Sequence, residues 1–264
     1  MACSGAGQRI LAFVCFDSVM NHIDSDTLPI IPCCADKAPG GYETDHYNDL
    51  LSQTVSSKCY NDVISARAEL LSRLKSKPKY LSNEYSKNKE ILRGPDFGGP
   101  GISCSYLSAV DRYTGNLYSA DPDFSVAIKE ALDTRDKPKI LVLSALYGPL
   151  HPLSLIQDYN LKMSDSLAYQ TWKNVFAPFL EEYVNRNNIR SIYLYLGSST
   201  AYFKVAKKAI DPLLKKGLLI RAVQYEVENG NAYHTPHNHG LRILSDLRYR
   251  TNMVYTRTVA DNQL

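Results

Sequence analysis

The chain has 264 residues, 44% hydrophobic and 22% charged, with a formal net charge of +3. That is the make-up of an ordinary soluble globular protein with a sizeable core, as one large α/β domain or two small ones. No run reaches the length of a membrane span, and the mild positive charge permits a polyanionic partner without demanding one.

Met1 to Arg9 lacks a signal-peptide core, and Ile10 to Phe16 is apolar but short, so a cytoplasmic protein is expected. The cysteines, Cys3, Cys15, Cys33, Cys34, Cys59 and Cys104, form no Cys-x-x-Cys pair. Reduced thiols and no metal are therefore expected. Tyrosine is over-used, 19 residues against one Trp and seven Phe. Its ring suits half-wet surfaces that stack on bases, although most of these tyrosines are expected at the edge of the core.

In chain order, Arg9 to Phe16 and Leu28 to Pro32 read as strands. The second leads into a tight loop, Cys33-Cys34-Ala35-Asp36-Lys37, followed by two glycines. Tyr60 to Lys75 has helical spacing and ends in positive charge, which suits a helix C-terminus. Tyr80 to Ser105 is polar, with glycine and proline gathered at its end, and reads as a long loop or insertion. Asp123 to Leu132 is a predicted helix, and Ile140 to Leu143 a buried strand of a parallel sheet. Ser164 to Asn185 is a predicted helix capped by Ser164 or Asp165, with a kink or break at Pro178. Ser191 to Leu196 is a strand, Ala201 to Lys216 a helix with a basic face, and Leu218 to Val227 the last strand. A turn and a helix follow over His234 to Tyr249, and the tail from Thr251 is expected to fray. Alternating strands and helices predict a single α/β domain: a mainly parallel sheet with helices on both faces.

The strand at Ile140 opens into Ser144, Tyr147 and Gly148, and Pro149 and Pro152 bar a helix there. The result is an ordered polar loop carrying His151, Gln157, Asp158 and Tyr159. Ligands in open α/β sheets bind just outside the carboxyl ends of the strands, so this loop is the first place to seek a site. Gly197-Ser198-Ser199-Thr200, between a strand and a helix, offers an anion site or plain N-capping. It lacks the P-loop pattern. Asp36 and Lys37 could bind phosphate or act as base and nucleophile, or be a solvated pair. His234, His237 and His239 lack a nearby acidic or thiol ligand and read better as capping or phosphate-facing groups than as a metal site. Basic residues gather at Arg73 to Lys79, at Lys204, Lys207, Lys208, Lys215 and Lys216, and at Arg242, Arg248 and Arg250. With Tyr202, Tyr249 and Tyr255 interleaved they suit a groove that tracks a nucleic-acid backbone, or else a solvated surface.

Leu143 to Met163 resembles the signature of the YaaA-type peroxide-stress proteins and their small relatives of unassigned function. Pro32 to Lys37, Arg112-Tyr113-Thr114-Gly115, Ala168 to Trp172 and Gly197 to Val205 resemble other elements of that family, in the same order. Cys33-Cys34, Asp36 before Lys37, and Tyr80 to Ser105 depart from the pattern. The resemblance implies a compact α/β protein that binds DNA. More distantly it implies the uracil-DNA-glycosylase-like domain of archaeosine-synthesis enzymes, which act on modified bases.

The expected function is a DNA N-glycosylase that flips out and excises a modified base without a cofactor, with defence against modified phage DNA as one setting. Asp158, preferred for its loop, and Asp36 are the candidate carboxylates, and Lys37 could neutralise the leaving base or form a Schiff base. Cys34, Tyr113, Ser144, Tyr147, Gly148 and Tyr159 are candidates to hold the base. Ser198, Ser199, Thr200, Tyr202, Lys204, Lys207, Lys208, His237 and Arg242 are candidates for phosphate. The alternatives are a DNA-binding stress protein without turnover and a nucleotide or nucleoside hydrolase.

Overall fold

The computed structural model describes residues 11–15 and 23–261, apart from 45, 46, 48, 104, 135–137 and 228–229. For 11–15 and 248–261 it describes the backbone alone. One sheet holds β1 (Leu11–Cys15), β2 (Thr27–Pro32), β4 (Leu141–Ser144), β5 (Gly148–Leu150), β7 (Ser191–Leu194) and β8 (Arg221–Glu226). The strand order is β1-β8-β7-β2-β4-β5, and every pair is parallel except β4 with β5. A separate antiparallel pair joins β3 (Leu107–Ser108) to β6 (Leu155–Ile156). The helices are α1 (Ser57–Lys75), α2 (Ala109–Arg112), α3 (Phe124–Asp133), α4 (Ser166–Arg186), α5 (Ala201–Lys216) and α6 (His234–Asp261). This is the expected α/β domain with a mainly parallel sheet.

The strands β2, β4 and β7 are mostly apolar and buried almost throughout because both faces of the sheet are covered. The hydroxyls of Tyr195 and Tyr225 reach Asp246 of α6 at 2.7 and 3.2 Å, so these residues face α6, which packs with α3. Alternation along the strand turns Ile192 and Leu194 to the other face, where α1, α4 and α5 pack side by side. Pro29 is tolerated inside a central strand because pairing of β2 with β4 starts only at Ile30. Cys33 N bonds Leu143 O and Tyr195 N bonds Ile30 O, so odd-numbered residues of β2 bond toward β4. The missing N–H of Pro29 therefore falls just before that ladder begins.

The central stretch departs from the expected loop by folding back as β5, a short antiparallel edge strand. Gly148 makes the turn at φ +65°, and a Cβ there would lie 2.2 Å from the Trp172 ring. Trp172 donates its indole N–H to Ala145 O at 2.8 Å. Arg67 of α1, fully buried, donates to Tyr147 O at 2.8 Å and Pro149 O at 2.9 Å, and pairs with Asp49 at 2.8 Å. Burial alone would raise the Asp49 carboxyl, but the guanidinium and the Ser154 hydroxyl hold it below the usual carboxylate range.

The 80–105 stretch is a string of 3-10 turns, Pro78–Leu81, Asn83–Lys89 and Pro95–Phe97, tied into the interior. Asp96, fully buried, accepts from the hydroxyls of Tyr106 and Tyr147, both at 2.8 Å, and from Gln157 Nε2 at 3.0 Å. Desolvation raises its carboxyl to about 6 despite these donors. Helix α4 runs through Pro178 without a break and takes Asp165 as its N-cap residue. Helix α6 continues past Thr251, from which the sequence predicts fraying.

Candidate active site

The carboxyl ends of β2, β7 and β8 and the loop after α2 surround a cavity of about 650 Å³. Its wall takes Cys33, Cys34 and Asp36 from the β2 loop and Asn116 and Tyr118 from the α2 side. Tyr195, Gly197 to Thr200 and Tyr202 come from the β7–α5 turn, and Tyr225, Glu226, Asn231, Thr235 and His239 from the β8–α6 turn. This is the position at which open α/β sheets bind ligands.

Each wall residue is held by a local bond. Thr200 caps α5 by accepting from Phe203 N at 3.2 Å and donating to Gly197 O at 2.7 Å. That leaves Ser198 and Ser199 exposed at the positive end of the helix. The Tyr202 hydroxyl lies 2.9 Å from Cys33 Sγ, which also accepts from Ala145 N at 3.3 Å. Cys34 Sγ accepts from Gly115 N at 3.2 Å and donates to Asp36 O at 2.9 Å. Gly115 is required there, because a Cβ would sit 2.7 Å from Cys34 Cβ. Burial pushes the Cys34 thiol up to about 12, so it is not a thiolate at neutral pH. The hydroxyl of Tyr118 donates to Pro32 O at 2.8 Å. His239 Nε2–H donates to Tyr225 O at 2.8 Å, and burial lowers its pKa, so the imidazole is neutral. The carboxylate of Asp36 is exposed.

Beneath the β2 loop lies a second layer. Lys37 is 7% exposed and donates to Cys34 O at 2.9 Å and Ala35 O at 3.2 Å. Its ammonium lies 4.0 Å from the centre of the Tyr159 ring, and desolvation lowers its pKa. The hydroxyls of Tyr113, Ser144 and Tyr159 bond one another at 2.9 to 3.2 Å, fully enclosed. Desolvation holds both phenols well above their ordinary pKa.

Of the residues singled out in the sequence, the structure brings Cys34, Asp36, Ser198, Ser199, Thr200 and Tyr202 to the cavity. Lys37 supports the loop from below. Tyr113, Ser144 and Tyr159 form the layer under that loop and are not in the wall. Tyr147 is anchored through its hydroxyl to Asp96 and to Gln157 N, at 2.8 and 3.0 Å, and Gly148 serves the turn against Trp172. Asp158, the preferred carboxylate, is not in the cavity wall and pairs with Lys87 at 2.8 Å. On α5, Lys204 and Lys208 are exposed, whereas Lys207 pairs with Asp211 at 2.6 Å. His237 stacks on Tyr233 outside the wall. Arg242 pairs with Asp246 at 3.0 Å and lies over the Tyr225 ring, so its charge is spent in the interior. The side chains of Arg248, Tyr249, Arg250 and Tyr255, the whole of Cys3 and Cys104, and the side chain of Cys15 lie outside those described. Sequence reasoning passed over Asn116, Tyr118, Tyr195, Tyr225, Glu226 and Asn231. The strand-end rule applied to β8 would have found Glu226.

Fold and cavity together define an α/β protein with a ligand site at the carboxyl edge of its sheet. The sequence profile described as peroxide stress protein YaaA matches residues 38–238, starting one residue past Lys37. The chain belongs to the YaaA peroxide stress protein family. A UPF0246 protein of Psychrobacter arcticus is 29% identical over 167 residues, covering 60% of this chain and 53% of its own length. One from Flavobacterium psychrophilum is 30% identical over 150 residues, 53% of this chain and 59% of the relative. One from Magnetococcus marinus is 38% identical over 96 residues, 34% of this chain and 36% of the relative. The chain spans about half the length of the curated relatives it matches. Among the described residues no helix is long and apolar enough to cross a membrane.

Proposed function

We propose that the protein is a DNA N-glycosylase that holds a flipped-out modified base in the strand-end cavity. The observation that carries this reading is the coincidence of an aromatic-walled cavity of about 650 Å³ with an exposed carboxylate, Asp36, on the loop that closes it. A base taken out of the stack needs ring surface and edge hydrogen bonds. The half-buried ring of Tyr202, with Tyr118 beside the β2 loop, offers the first, and the amides of Asn116 and Asn231 the second. Asp36 replaces Asp158 as the carboxylate that stabilises positive charge on the sugar or positions water. Ser198, Ser199 and the N-terminus of α5, with Lys204 one turn on, would meet the flanking phosphates. Modified phage DNA in the cytoplasm is a fitting substrate for such an enzyme.

A binding protein without turnover is the second reading. It is favoured by the state of the wall, where burial pushes the Cys34 thiol up and the His239 imidazole down, leaving neither as an activated nucleophile or acid. The two readings separate when the protein is incubated in EDTA with single- and double-stranded DNAs carrying modified bases and freed base is read by mass spectrometry. The glycosylase reading expects one class of base to be released. DNA bound without release from any member of the panel refutes the enzyme and leaves the binding protein.

A further inference from the structure

We infer that the cavity selects a positively charged base, such as an N-alkylated purine, over its neutral counterpart. The inference rests on the base-holding reading above and adds the charge of the base. The described wall of the cavity contains two carboxylates, Asp36 and Glu226, and no lysine or arginine. Both carboxylates are exposed, and among the described residues neither has an ion-pair partner. They stand on different strand ends, Asp36 after β2 and Glu226 at the end of β8, with the β7 turn between them in the sheet order.

The cations next to the wall in sequence are not among its residues. The Lys37 ammonium is bound to the carbonyls of Cys34 and Ala35 and lies over Tyr159. Arg242 is paired with Asp246, and Lys204 is exposed and not part of the wall. His239, the one imidazole in the wall, is held neutral by burial. Tyr202 presents a half-buried ring in this wall, and phenol rings attract cations through their negative faces. A phosphate inside this space would face two carboxylates with one helix N-terminus to offset them. The phosphate therefore belongs at the rim, by Ser198 and Ser199, and the cavity itself takes a ring that is neutral or positive.

The chemistry agrees with the wall. Release of a neutral base from its sugar is helped by a proton donor, and Cys34, Tyr118, Tyr195 and Tyr202 are weak donors because burial raises each of them above its ordinary pKa. A cationic base needs none. The bond from C1′ to the ring nitrogen breaks, its electron pair enters the ring and cancels the positive charge, and water oxygen bonds C1′. The proton lost by that water passes to Asp36 and on to solvent. The products are neutral base, sugar hydroxyl and one proton.

1-Methyladenosine and N6-methyladenosine are isomers, and at neutral pH the first is a cation and the second neutral. Calorimetric titration of both into the full chain at pH 7 and fixed ionic strength tests the inference. The expected result is at least about tenfold tighter binding of the cation. In Glu226→Gln the preference shrinks, and in the doubly substituted Asp36→Asn, Glu226→Gln protein it disappears, with thermal melts confirming that both variants fold. Equal or tighter binding of the neutral isomer overturns the charge preference and leaves base holding intact. A preference that survives both substitutions overturns its assignment to these carboxylates. Failure of both nucleosides to bind overturns the base-holding reading together with this one.

Discussion

Replacing Arg67 by methionine should destabilise the fold by about 3–5 kcal/mol, the cost of breaking a buried ion pair by removing one partner. The structure gives reasons for the upper part of that range. The guanidinium is fully enclosed and makes three separate bonds, to Asp49 at 2.8 Å, Tyr147 O at 2.8 Å and Pro149 O at 2.9 Å. Methionine fills much of the volume and satisfies none of them. Asp49 keeps Ser154 and the Leu51 N–H, at 2.7 and 3.1 Å, but stays buried with no counter-charge, and two carbonyls at the β4–β5 turn lose donors. Arg67 is also the reason the Asp49 carboxyl sits below its usual range. Without it, desolvation raises that pKa, so the variant should recover stability as pH falls and Asp49 takes up a proton. Urea denaturation at pH 7 and pH 5 measures both effects. Substituting Asp49→Asn in the same chain should return part of the loss, because the uncompensated charge is removed with its partner gone. A cost under about 1 kcal/mol, or a double variant as unstable as the sum of its singles, would refute the buried-pair account.

Gly148→Ala should cost about 2–5 kcal/mol, combining a left-handed backbone with a methyl driven into the Trp172 ring, and a denaturation midpoint equal to the parent's would contradict it. Desolvation raises the Asp96 carboxyl to about 6, above its unfolded value near 4. The folded state thus holds that proton more tightly, and stability falls by about 3 kcal/mol between those pH values as pH rises. Asp96→Asn should flatten the curve in that window, and an unchanged slope in melts from pH 4 to pH 6.5 would show that Asp96 does not titrate there. If α5 meets DNA, neutralising Lys204 and Lys208 together should reduce the slope of log affinity against log salt by about 2, whereas Lys207→Gln should add little, since Lys207 is tied to Asp211. A slope that does not change in filter-binding assays would move the polyanion surface elsewhere.

Buried parallel strands were the most legible part of the chain. Leu28 to Pro32, Ile140 to Leu143 and Ile192 to Leu196 carry apolar or aromatic residues on both faces, which marks them before any partner is known. The α5 helix was equally plain, read over Ala201 to Lys216 with its cap within Gly197 to Thr200, and the structure gives it those bounds with Thr200 as the cap. The 80–105 stretch was opaque because its order comes from side-chain bonds across long sequence gaps, such as Asp96 to Tyr147 and Gln157. Part of the site was legible for the same reason as the strands, since Asp36, Ser198 and Ser199 follow strand ends. Asp158 misled because its loop is polar and proline-stiffened, and nothing in sequence tells that Lys87, 71 residues away, takes its charge. Tyr113, Tyr147 and Tyr159 have the right ring chemistry for a base but are spent on hydroxyl networks, which only the packing reveals.

The location of the working carboxylate tests the account most directly. Single-turnover release of base from the DNA that the parent cleaves, compared for Asp36→Asn and Asp158→Asn, sets the strand-end cavity against the central loop. The account predicts a loss of at least about a hundredfold for Asp36→Asn with DNA affinity kept, and a rate near the parent's for Asp158→Asn. An Asp36→Asn protein as active as the parent, or abolished release in Asp158→Asn with its fold intact, would contradict it.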